Sequence, residues 1–164
     1  MFSLFRRADP SSLLNSKLFD EQGFYAAFSK DFKQAKREVI IESPYITCRR
    51  SAELAPLCKK LANRGVKIKI LTRNPGHHDD NLRIQAWIGI KILREAGVRV
   101  FICDDLRHRK IAVIDGEILW EGSLNMLSHS NSREIMRRTQ SEELCNQLLK
   151  FTSVKRDLRW YNKR

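Results

Sequence analysis

The sequence contains no C-x-x-C pair, no apolar run approaching a membrane span, no internal repeat and no low-complexity tract. The first absence speaks against a zinc site, since structural zinc is held by closely spaced thiolates. The four cysteines, at 48, 58, 103 and 145, lie inside apolar-patterned segments and read as buried thiols of a reducing compartment, not as a disulfide framework. The second absence excludes an integral membrane protein. The opening M-F-S-L-F-R-R-A-D-P has no signal-peptide h-region because Arg6 and Arg7 interrupt a very short apolar start, so the expected location is the cytoplasm. Arg6 and Arg7 themselves read as a solvated arm and not as a lipid contact.

What is present is an ordinary domain with an unusual charge. With 164 residues and 42% hydrophobic content, the chain has enough apolar surface for one core without staples. We divide it into an N-terminal arm, 1–19, and a single catalytic domain, 20–164. Lys and Arg number 31 against 19 Asp and Glu, a formal charge of +12, which points to a polyanionic partner such as nucleic acid or an acidic membrane surface.

Helical and strand patterns alternate along the chain. Phe24, Phe28 and Phe32 repeat at the helical spacing, predicting a helix from about 20 to 37. Glu38 to Ser43 is a short β-branched strand stopped by Pro44. Leu54, Leu57, Cys58 and Leu61 share a helix face that ends at Gly65. Val66–Thr72 alternates as a strand with Lys67 and Lys69 on a solvated side, followed by a helix from about 79 to 96 and a strand at Val98–Cys103. Ile111–Ile114, apolar at successive positions, reads as a central strand, and Asp115-Gly116 as a hairpin turn into Ile118–Trp120. Glu134–Arg138 is a further candidate strand, and Ser141 caps a final helix through Leu158. The economical fold is α/β: a mixed, largely parallel sheet with helices on both faces.

The chemistry concentrates between His108 and Asn125. His108 and Lys110 stand two apart on a strand and therefore point the same way. A phosphodiester needs its anionic oxygens neutralised and a nucleophile in line. Lys110 brings the charge, Ser123 and Asn125 bring donors, and His108 brings the nucleophile. Asp115 reads as a turn residue. Gly122 reads as a point where the backbone passes close to whatever His108 and Lys110 face.

The spacing His108-x-Lys110-x4-Asp115-x6-Gly122-Ser123-x-Asn125 resembles the HKD signature of the phospholipase D superfamily at all six fixed positions. The resemblance extends, more weakly, to the order of helices and strands from about 20 to 158. It implies cleavage of phosphodiesters without a metal or other cofactor, through a covalent phosphohistidine on His108. It also implies a role for Glu134, which falls where the family often has a glutamate and would orient a histidine ring through its second nitrogen. The leaving oxygen needs a proton from a second acid. His77, His78 and His129 lack a lysine two residues on, so the chain has one such motif where double-length family members have two. A homodimer that brings two copies of His108 together about a two-fold axis answers that need.

Four readings are open: an endonuclease on DNA, single- or double-stranded; an RNA endonuclease; a lipid phosphodiesterase; or a module that binds nucleic acid without catalysis. Lys67, Lys69, Arg73, Arg107, Arg109, Arg137 and Arg138 are candidates for a nucleic-acid groove. The tail, where Trp160 and Tyr161 interleave with cations, is a candidate stacking surface. The same residues equally describe a solvated basic face. His77-His78-Asp79-Asp80 reads as a substrate-contacting loop, because the aspartates suit a helix N-terminus and no partner ligands stand at zinc spacing. DNA leads over lipid, which would call for an apolar entrance or a membrane anchor.

Overall fold

The computed structural model describes residues 15–128 and 132–161, without the side chain of Tyr161. Arg6, Arg7, His129 and the last three residues of the tail lie outside them. The described residues build a seven-stranded sheet in the order β1-β7-β6-β5-β2-β3-β4. Strands β2 (Glu38–Glu42), β3 (Lys67–Arg73) and β4 (Arg99–Cys103) run parallel to one another. Between them lie α2 (Cys48–Asn63) and α3 (Asp80–Glu95). Strands β5 (Lys110–Ile114), β6 (Ile118–Gly122) and β7 (Ile135–Gln140) form an antiparallel meander joined to β2 through β5. Helix α1 (Glu21–Gln34) precedes β2, and α4 (Glu142–Phe151) and α5 (Val154–Tyr161) end the described chain.

The sheet is mixed, as expected, but parallel pairing is confined to two of its six neighbouring pairs. A parallel neighbour needs a crossover long enough for a helix, and only α2 and α3 supply one inside the sheet. The tight turn at Asp115 and Gly116, with φ of 55° and 73°, instead reverses the chain at once.

Helices cover both faces. On one, Phe24, Phe28 and Phe32 of α1 pack with α2, α3, Ala112, Ile114 and Trp120. On the other, Cys145, Leu149, Val154 and Leu158 of α4 and α5 meet Ile40, Leu71, Ile111 and Val113. Strand β5 thus alternates between two cores, which is why its run is apolar throughout. Cys58, Cys103 and Cys145 are buried, and burial pushes the Cys58 and Cys145 thiols up to about 12 and about 11. Cys48 is half-buried at the start of α2.

Three local expectations change. Residues assigned to the arm form β1 (Ser16–Asp20), which pairs antiparallel with β7 and leads directly into α1 through an Asp20 cap on the Gly23 N–H (2.8 Å). The last helix breaks at Thr152 and Ser153, where Ser153 takes a φ of 56°, and the break lets Val154 and Leu158 return to the core. Lys69 is not on a solvated side: it is mostly buried in an ion pair with Glu38.

The register places the carboxyl ends of β2, β3, β4 and β6 beside the start of β5. Arg73 is opposite Cys103, Glu42 opposite Ile111, and Lys110 opposite Gly122. The loop that carries His108 enters β5 at this edge.

Candidate active site

His108 lies in the loop before β5, not on a strand as expected, and Lys110 begins that strand two residues later. The Lys110 Nζ lies 2.8 Å from His108 Nδ1. The His108 ring also stands edge-on to Tyr45, with centroids 5.9 Å apart and planes at 86°. Burial lowers the His108 pKa from its ordinary value, and the positive charges of Lys110 and Arg73 lower it further. These influences favour the neutral ring, whose nitrogen lone pair can attack. Lys110 is itself lowered by burial, against the raising effect of Glu134.

Ser123, Asn125 and Glu134 arrive from the other end of β6 and from the entry to β7. The Ile135 N–H donates to the Ser123 hydroxyl oxygen (3.2 Å), and the Ser123 N–H donates to the Ile135 carbonyl (3.0 Å), tying the two strand ends together. Ser123 and Ser132 hydroxyls hydrogen-bond the Glu134 carboxylate and hold its pKa below the ordinary value. Glu134 thus sits by Ser123 and Lys110. Within one chain it makes no hydrogen bond to His108, whose Nδ1 faces Lys110 instead. The Asn125 carboxamide oxygen is buried without a hydrogen-bond partner among the described residues.

Asp115 lies at the opposite end of β5, about 15 Å of strand away from Lys110. Its carboxylate accepts the backbone N–H groups of Lys36, Arg37 and Glu38 at 2.8, 2.7 and 2.9 Å. Burial alone would raise its pKa, but those donors and the Arg37 charge bring it below the ordinary value. Gly122 is close-packed for a reason other than the one expected. A Cβ there would meet the Ile135 carbonyl oxygen at 2.2 Å, so the glycine serves the close approach of β7 and not that of a substrate.

A family profile described as cardiolipin synthase, PLD-like domain, matches residues 28–154. The chain belongs to the phospholipase D superfamily. At the superfamily level it is therefore an enzyme of the phosphodiesterase type. Nuc from Salmonella typhimurium, described as a phospholipase D family member, superposes with a TM-score of 0.68 at 14% identity, covering 83% of this chain and 91% of that one. NucT from Helicobacter pylori gives 0.68 at 22% identity, with 89% and 96% covered. TrmBL2, an archaeal chromatin protein described as having a novel mode of DNA binding, gives 0.59 at 14% identity, with 87% and 52% covered. At these identities the superpositions show a common fold. No curated protein matches the chain.

In this phospholipase D-like domain most of the expected basic groove does not assemble. Arg109 forks onto the fully buried Glu42 at 2.9 and 3.1 Å. Arg107, also buried, pairs with Asp105 and, at 3.4 Å, with Asp157 of α5. Arg138 binds Asp31 (2.6 Å), Arg137 stands 4.0 Å from Glu121, and Lys69 is taken by Glu38. Lys67 lies at the far end of β3, opposite Glu38. Arg73 alone of the seven faces His108 without a carboxylate partner among the described residues. Trp160, half-exposed, lines a separate hollow with Arg107, Arg156 and Asp157.

Two groups of residues escaped the sequence reading. Tyr45 follows the strand-stopping Pro44, and that position at the carboxyl end of a strand was the available signal. The other group clamps the loop after Asn125. Tyr25 Oη donates to the Ser128 carbonyl (2.9 Å), Arg50 Nε to Met126 (3.1 Å), and the Thr47 N–H to Leu127 (2.9 Å). Arg50 also stacks on Tyr25 at 4.6 Å. Nothing local in the sequence announces such a clamp, because its members are 76 to 103 residues from their acceptors.

Proposed function

We propose that this domain is a metal-independent nuclease that cuts DNA through a covalent phosphohistidine and works as a homodimer. The carrying observation is the His108 ring held 2.8 Å from the Lys110 amine at a sheet edge shared with Asn125 and Glu134. An entering phosphate oxygen competes for Lys110 and releases the ring lone pair. A His108 nitrogen bonds to phosphorus as the P–O bond to the leaving oxygen breaks, and the imidazolium of a second copy's His108 supplies that oxygen's proton. Water then attacks phosphorus, giving its proton to the same imidazole as the P–N bond breaks. Asn125 donates to a phosphate oxygen, while Ser123 positions Glu134 near Lys110. Two displacements give net retention at phosphorus.

The second copy has a suitable surface. Leu18, Ile135 and Phe151 are 60, 61 and 87% exposed and line one open groove that runs up to Lys110. A contiguous apolar surface bordering an incomplete site is what a self-complementary contact buries. The same groove favours a second reading, a lipid phosphodiester with its acyl chains against Phe151. No helix among the described residues is long and apolar enough to cross a membrane.

The test incubates purified protein in EDTA with labelled single-stranded DNA, double-stranded DNA, RNA and phosphatidylcholine vesicles. The expected result is cleavage of DNA, at least about a thousandfold slower in His108→Asn. Cleavage of RNA or lipid alone would replace the DNA reading, and EDTA-resistant turnover of none of the four would end the enzymatic one.

A further inference from the structure

Arg73 has an unusual position among the cations of this chain. Its terminal nitrogen makes a long contact to the His77 carbonyl (3.5 Å), and its Nε is buried with no hydrogen-bond partner among the described residues. A guanidinium carries five donors in a rigid fork, and one left under-satisfied beside an active site is a ready phosphate ligand. Its charge reaches both His78 and His108.

Around it stands a row of rings. His78 lies 5.0 Å from Tyr45 with planes inclined at 41°, and Tyr45 in turn meets His108 at 5.9 Å. Tyr45 comes from the loop after β2 and His78 from the loop after β3, so neighbouring strands deliver both rings to the edge that holds the catalytic histidine. Both side chains are only partly buried. Burial first, then the Arg73 charge, lowers the His78 pKa and so favours its neutral ring. A neutral imidazole beside a phenol is a flat, weakly hydrated surface, while the cation next to it supplies what a base lacks. Aromatic rings interleaved with one cation, a few ångströms from a phosphoryl-transfer nucleophile, match the needs of one nucleotide.

We propose that Tyr45, His78 and Arg73 form a nucleotide subsite next to His108, in which an unstacked base lies against the Tyr45–His78 pair and Arg73 holds the phosphate adjoining the scissile one. The subsite makes single-stranded DNA the preferred substrate, because a base already stacked in a duplex cannot reach the rings. The inference rests on the nuclease reading and specifies its substrate.

Binding separates the two. In a His108→Asn background, which cannot turn over substrate, fluorescence anisotropy compares a labelled single-stranded 12-mer with an abasic 12-mer that keeps every phosphate. The expected result is about tenfold tighter binding of the base-bearing strand, from one stacked base. Adding Tyr45→Ala or His78→Ala abolishes that preference, Tyr45→Phe retains it, and Arg73→Gln weakens both strands alike. Equal affinity for the two strands before any of these changes, or a preference that survives both alanine variants, overturns the subsite, as does equal weakening of both strands by Tyr45→Ala. Base-dependent binding by a wild-type protein that cleaves nothing would instead refute the nuclease reading and leave the subsite standing.

Discussion

His108 shows how far neighbours set the chemistry of one side chain. An isolated histidine is half-protonated near pH 6.5, and a protonated ring has no lone pair with which to attack. Burial, Lys110 and Arg73 all disfavour the charged form, so the proposed nucleophile stays available to lower pH than an isolated ring would. The acid limb of kcat/KM on single-stranded DNA is therefore expected to have its midpoint below about 6.5. Arg73→Gln removes one of the lowering charges and moves that limb to higher pH. A limb that stays put in this variant would mean that the Arg73 charge does not act on the ring. The fall at alkaline pH belongs to the second imidazole, and the two midpoints describe the pair jointly.

Among elements, the junction between α1 and β2 depends on a residue from another hairpin. Asp115 fills three backbone N–H groups at Lys36, Arg37 and Glu38, and its left-handed φ of 55° sets the turn that aims it there. Asp115→Asn is expected to cost about 2 kcal/mol at neutral pH in urea unfolding, since an amide cannot accept three N–H groups as a carboxylate does. The folded pKa is depressed, so the carboxylate's contribution is full above the unfolded value of about 3.9 and disappears as pH falls through the lower folded value. Wild-type stability should thus approach that of the variant only in acid. Turnover per folded molecule at neutral pH should change little, because Asp115 is at the other end of β5. A hundredfold loss of kcat with unaltered stability would place Asp115 in the chemistry. Glu42 does comparable work at the active edge: by holding Arg107 and Arg109 it binds the loop before His108 to β2.

For the whole molecule, the proposed reaction with two copies of His108 makes activity depend on assembly. If each reaction uses two copies of His108, mixing equal amounts of wild type and His108→Asn and allowing exchange leaves about one quarter of the activity, whereas independent sites leave about one half. Phe151→Glu, placing a charge on the exposed groove beside Lys110, should yield a monomer by gel filtration and lose turnover without unfolding. A fully active monomer would refute the shared site.

Much of this was readable along the chain, because it depends on neighbours a few residues apart. The apolar period marked β5 and α1, the turn chemistry of Asp115-Gly116 marked the hairpin, and the spacing from His108 to Asn125 marked the family. Composition could count cations but could not say which ones have carboxylate partners. Arg109 and Glu42 are 67 residues apart, and Arg138 and Asp31 are 107 apart, so only the folded sheet reveals that the expected groove is largely a set of structural ion pairs. Long-range pairing likewise turned part of the arm into β1, assigned the Gly122 gap to β7, and set Tyr45 against both His78 and His108. The sequence by itself determined the family motif and the spacing of its residues, since both are local. Tertiary structure decided which charges remain available to a substrate, since a charge is committed only by the partner that folding brings to it.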